Sequence, residues 1–114
     1  MLQQINKKII FYISLVIILG TFNNKNLKNF EPEKFLELKN IILQTDFKYN
    51  NIKNFYFFPS GRWDIEMISG VLIKLPIKGI KESLNLSIDL LDDKEFSNIK
   101  ILDIRQKNQI IIND

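Results

Sequence analysis

Directly after Lys7 and Lys8 the sequence runs from Ile9 to Phe22 through apolar side chains broken only by Ser14, Gly20 and Thr21, and no charge appears before Lys25. This segment constrains the chain more than any other, because a helix apolar on every face does not suit the surface of a small domain. Its charge-free stretch of about 16 residues makes roughly 24 Å of helix, slightly short of a ~30 Å hydrocarbon layer. Snorkelling by Lys8 and Lys25 supplies part of the difference. An uncleaved membrane anchor is therefore expected. Two alternatives stay open. A secretory signal peptide wants small residues at its cleavage site, whereas Gly20-Thr21-Phe22-Asn23-Asn24 follows the run here. A buried core helix is the other. Lysines are nearly balanced across the segment, with Lys7 and Lys8 before it and Lys25 and Lys28 after it. Orientation rests on the tendency of a short tail before a first anchor to stay in the cytoplasm, which puts the remainder outside. The expected organisation is a tail and anchor over residues 1–24, an Asn-rich linker over 25–31 and one extracytoplasmic domain over 32–114.

About 80 residues remain for that domain, enough to bury roughly 60–65% of the surface its unfolded chain exposes. Glu31-Pro32-Glu33 opens a helix, since proline suits a first turn and acidic side chains complement its dipole. Phe35, Leu38, Ile41 and Ile42 continue it at helical spacing to about Gln44. From Ile52 to Phe58 the chain is β-branched and aromatic, and it then turns at Pro59-Ser60-Gly61. Trp63, Ile65 and Met67 alternate with Arg62, Asp64 and Glu66, the period of a half-buried strand. Ser69-Gly70 reads as a two-residue turn into Val71, Ile73 and Leu75, a strand that Pro76 ends.

A second helix is expected from Gly79 to Leu91, with Ile80, Leu84, Ile88 and Leu91 on one stripe and Asp92-Asp93-Lys94 closing it. Strands over Ile99 to Arg105 and Gln109 to Asn113 flank a turn at Gln106-Lys107-Asn108. The fold class is α+β: an N-terminal transmembrane helix, then α-β-β-β-α-β-β with a mostly antiparallel sheet and both helices on one face. The last strand, Ile110-Ile111-Ile112-Asn113, reads as an uncovered apolar edge, which is a liability or a docking site.

Little in the composition suggests catalysis. Histidine and cysteine are absent, which removes the commonest general base, the commonest metal ligand and the thiol nucleophile. Asp64 and Glu66 share a strand face and carry the right groups for acid–base work or a divalent cation. The favoured alternative is a solvated face partnered with Arg62 and Lys74. Phe55-Tyr56-Phe57-Phe58 beside Lys48 and Lys53 resembles a base-stacking platform, but alternation sends two rings to each face and assigns at least half to the core. Ser60-Gly61-Arg62 lacks the strand-to-helix glycine loop of a phosphate site. The absence of alanine and the excess of Ile, Asn and Lys fit an AT-rich coding bias, so a net charge of +3 is weak evidence for nucleic acid. The expectation is a non-enzyme without cofactor, metal, small-molecule substrate or nucleic-acid partner.

Three segments taken in order, Ser60-Gly61-Arg62-Trp63-Asp64-Ile65, Gly70-Val71-Leu72-Ile73-Lys74-Leu75-Pro76 and Leu102-Asp103-Ile104-Arg105, resemble the C-terminal extracytoplasmic domain of the FtsQ/DivIB cell-division family. The resemblance covers about Glu31 to Asp114. It makes Trp63, Asp64, Gly70, Leu75, Pro76, Asp103 and Arg105 signature positions. It implies a single-pass scaffold of the bacterial inner membrane, N-terminus cytoplasmic and domain periplasmic, that binds FtsB/FtsL-type partners and helps control septal cell-wall synthesis. Partner strand addition is implied at Ile110, Ile111, Ile112 and Asn113. Asp103 and Arg105 are expected to form a turn-stabilising ion pair between the last two strands. The sequence departs from the family in having only residues 25–31 where members carry a POTRA domain. An unrelated membrane-tethered periplasmic protein-binding domain, or a truncated remnant of the family, are the alternatives.

Overall fold

The computed structural model describes residues 3–6, 32–106 and 109–113. The expected anchor and linker lie outside those residues, as do Lys107 and Asn108 of the last turn. Among the described residues no helix is long and apolar enough to cross a membrane. In chain order the elements are β1 (Gln3–Asn6), α1 (Pro32–Leu43), β2 (Ile52–Phe57), β3 (Trp63–Met67), β4 (Leu72–Lys74), α2 (Ile80–Asp92), β5 (Ile101–Gln106) and β6 (Gln109–Asn113). From Pro32 onward this is the expected α-β-β-β-α-β-β series. The strands lie side by side in sequence order, antiparallel except for β4 and β5, which run parallel across the α2 crossover.

Gln3–Asn6 is the element that sequence patterning did not indicate. It pairs antiparallel with β2, setting Gln3 opposite Phe57 and Asn6 opposite Asn54. The expectation had this stretch in a cytoplasmic tail, because Gln-Gln-Ile-Asn has one apolar residue and hence no alternation to read.

Cross-strand register explains the core. Phe55, Ile65, Ile73 and Leu102 occupy successive positions of one row, and each is fully buried. Trp63 and Met67 of β3, Leu75 after β4 and Ile104 of β5 extend that face. Phe35, Leu38 and Ile42 of α1 and Leu84 of α2 close over it in a single hydrophobic cluster, so both helices cover the same side. Phe55 meets Phe35 edge-on at 5.1 Å and Trp63 at 6.3 Å, an arrangement favoured by ring quadrupoles. A register shift between Ile52 and Asn54 returns Ile52 to the core side of β2.

The two hairpin loops are built alike. Phe58 N–H donates to the Arg62 carbonyl at 3.0 Å while Gly61 N–H donates to Phe58 at 2.9 Å. The second loop repeats this between Met67 and Val71 at 2.8 Å, with Gly70 N–H donating to Met67 at 2.9 Å. Each loop therefore holds three residues rather than the two expected at Ser69-Gly70, with a positive-φ glycine in its last position. Gly70 has φ 97° and open space where a Cβ would stand, so only backbone strain opposes a side chain there.

Two outcomes are expected from urea unfolding of the detergent-solubilised chain, read by its single, buried Trp63. Phe55→Ala should cost about 3–5 kcal/mol by emptying the centre of the core. Gly70→Ala should cost about 1–2 kcal/mol through the left-handed backbone alone.

Candidate functional site

β6 forms one end of the sheet, and among the described residues no strand pairs with its outer side. The apolar residues of this strand divide by alternation. Ile112 stands opposite Leu102 and packs, half-buried, on the core. Ile111 stands opposite Asp103 on the face away from the helices and is 39% exposed. Ile110, 41% exposed, borders a groove of about 1100 Å³ between β6 and the segment that enters α2. Ile77, Leu86 and Ile104 give that groove its apolar lining, to which Arg62 and Arg105 also contribute. Asn113 ends the strand, its carbonyl accepting from Lys100 N–H at 2.8 Å.

No sequence pattern marks Ile77 or Leu86 as part of a site. Ile77 follows the proline that ends a strand, and Leu86 lies off the stripe formed by Ile80, Leu84, Ile88 and Leu91. An exposed apolar residue off the core stripe of a helix was the available signal.

The signature positions divide between core and outer face. Trp63 and Leu75 are buried, Gly70 makes its turn, and Pro76 begins the groove wall. On the outer face Tyr56, Asp64, Lys74, Asp103 and Ile111 form one cross-strand row. Lys74 thus stands between two carboxylates, and the row ends at the open strand. The Asp64 carboxylate lies 3.2 Å from the Arg62 guanidinium, which stacks over Phe58 at 3.9 Å. Glu66 accepts from Asn54 Nδ2 at 2.7 Å and from the Tyr56 hydroxyl at 3.1 Å. Asp64 and Glu66 share a face as expected, but Asp64 is only 3% exposed and is not a solvated carboxylate.

Asp103 and Arg105 do pair, though along β5 rather than between the last two strands. Arg105 donates from Nε at 2.8 Å and from a terminal nitrogen at 2.6 Å, a forked contact, while its backbone N–H also reaches Asp103 at 3.2 Å. Residues two apart on a strand share a face, so the guanidinium folds back on its own strand. The pair lies where the β5–β6 register shifts, between Asp103 and Gln106. Among the described residues no group of three or more acidic side chains is placed to hold a metal ion.

No family model, curated protein or solved structure matches the chain.

The two aspartates of that row respond to pH in opposite directions. Hydrogen bonds from Arg105 hold the Asp103 pKa below the ordinary 3.8. The stability it contributes is therefore present above that value and lost as pH falls through the lower, folded one. Burial raises the Asp64 pKa, against the pull of Arg62 and Lys74. Its contribution is thus fully present below the ordinary value and lost as pH rises through the raised one. At pH 7 Asp103→Asn should destabilise by about 1 kcal/mol, a modest figure because the guanidinium is 40% exposed. Asp64→Asn should instead stabilise, and both differences should vanish in acid. Urea midpoints measured from about pH 7 down to pH 3 would check both signs.

Proposed function

We propose that this chain is a membrane-anchored, non-enzymatic scaffold of the FtsQ/DivIB kind, which takes up an extended segment of an FtsB/FtsL-type partner along the outer edge of β6. The observation that carries the proposal is the open edge of β6, with Ile110 and Ile111 exposed and an apolar groove beside it. An extended segment added there satisfies free main-chain groups, and the groove supplies side-chain selectivity.

An anchor over residues 9–22 would act in the same direction. A partner held on the same membrane is already concentrated near the edge, so a short strand contact suffices for association. The residues of the outer face that carry charge are engaged with one another, through Arg62–Asp64, Arg105–Asp103 and the Glu66 cluster. This favours a role in holding the sheet over a role in chemistry.

The test is a binding titration of the full chain, in detergent or nanodiscs, with the extracytoplasmic segment of the FtsB-like protein of the same host. Successive N–H groups of a strand point to opposite sides, so Ile111→Pro and Ile112→Pro remove donors from different edges of β6. One should weaken pairing with β5, while the other should leave Trp63 fluorescence unchanged and abolish binding. Saturable binding unaffected by either proline, or no binding by the folded chain, would overturn the proposal.

A further inference from the structure

The opposite end of the sheet points to a second strand-accepting surface. We propose that the outer edge of β2 accepts this chain's own Gln3–Asn6 as a temporary cover, held until the run from Ile9 to Phe22 enters a bilayer and withdrawn by that insertion. The inference rests on the anchor assigned above.

Geometry makes the two conditions exclusive. β1 pairs with β2 through four consecutive residues without a register shift, which brings residue 6 onto the domain. If the apolar run crosses a bilayer, residue 6 lies on one side and the domain on the other. A four-residue strand cannot reach across ~30 Å of hydrocarbon. Insertion therefore strips β1 from the sheet.

The sequence of each strand suits this arrangement. The covered part of β2 is Asn54-Phe55-Tyr56-Phe57, uncharged and aromatic, the sort of edge that templates aggregation when bare. Its cover is Gln-Gln-Ile-Asn, which brings main-chain pairing but little apolar surface to bury. Such a strand protects the edge yet is weakly held, so an apolar segment entering lipid outweighs it. Beyond Asn54 the strand carries guards of its own: exposed Lys53, and a register irregularity in its pairing with β3 between Ile52 and Asn54. The cover ends where these guards begin.

The chain has no cysteine, so a disulfide reports the pairing directly. The full chain would carry Gln4→Cys with Tyr56→Cys, residues opposite one another, and for comparison Gln4→Cys with Lys53→Cys, out of register. Each would be made by cell-free synthesis with and without phospholipid vesicles, oxidised, and sorted by carbonate extraction into inserted and free chains. Free chains should form the Gln4–Tyr56 crosslink well above the control, and inserted chains should fall to the control level. Free chains with no crosslink above the control would overturn the cover while leaving the anchor intact. Crosslinks persisting in inserted chains would overturn the withdrawal. Failure of the chain to insert would overturn the anchor and the withdrawal together.

Discussion

One buried row organises this domain: Phe55, Ile65, Ile73 and Leu102, side by side across four strands and closed at one end by Phe35 and Trp63. Strand periodicity allows no partial error here, since a slip of one residue would turn each of these side chains to the other face. The same register that buries Ile73 and Leu102 also fixes what stands behind them. Asp64, Lys74 and Asp103 are aligned on the outer face because their neighbours are aligned in the core. The charged row is thus a geometric consequence of the apolar one, and both end at β6, with Ile112 on the inner side and Ile111 on the outer.

Alignment explains why the outer face is built from pairs. Carboxylates facing one another across neighbouring strands would repel, and the lysine between Asp64 and Asp103 prevents that contact. Arg62 and Arg105 each fold back on a carboxylate two residues away on their own stretch of chain. The two pairs differ in energy. Asp103 receives three donors from Arg105 and favours its charge, whereas Asp64 is buried deeply enough that desolvation outweighs its ion pair. The less favourable carboxylate is held in place by the core behind it, with Arg62 offsetting part of its desolvation.

Much of this was legible in the sequence. Two-residue periodicity in Trp63-Asp64-Ile65-Glu66-Met67 assigned the faces of β3, and the four-residue spacing of Ile80, Leu84 and Ile88 assigned the stripe of α2. Pro32, Pro76 and the glycines marked the boundaries. What stayed hidden depends on relations between distant segments. Gln3–Asn6 has no pattern of its own and is a strand only because β2 offers an edge. The groove beside Ile110 joins Ile77, Leu86 and Ile104 from three separate stretches, none of them marked as a site locally. The burial of Asp64 follows from neighbours on adjacent strands, which alternation along one strand cannot show. The Asp103–Arg105 spacing indicates a pair but not that it lies along β5, because spacing alone does not say which way a long guanidinium turns.

The two ends of the sheet are treated differently, and the difference bears on function. β2 carries an exposed lysine, Lys53, at one end and a polar cover over its aromatic stretch. Among the described residues β6 has no such cover on its outward side: Ile110 and Ile111 are exposed, and a groove continues the apolar surface. A domain that must avoid pairing at both ends would guard both, since bare edges are equivalent hazards for association. While β1 is in place, strand addition is restricted to the β6 edge. That restriction also fixes the direction from which a partner approaches, because the groove, lined in part by Leu86 of α2, lies on the helix side of β6. A segment added to β6 would extend the row that begins at Phe55, so the core that stabilises the fold also sets the register in which a partner is received.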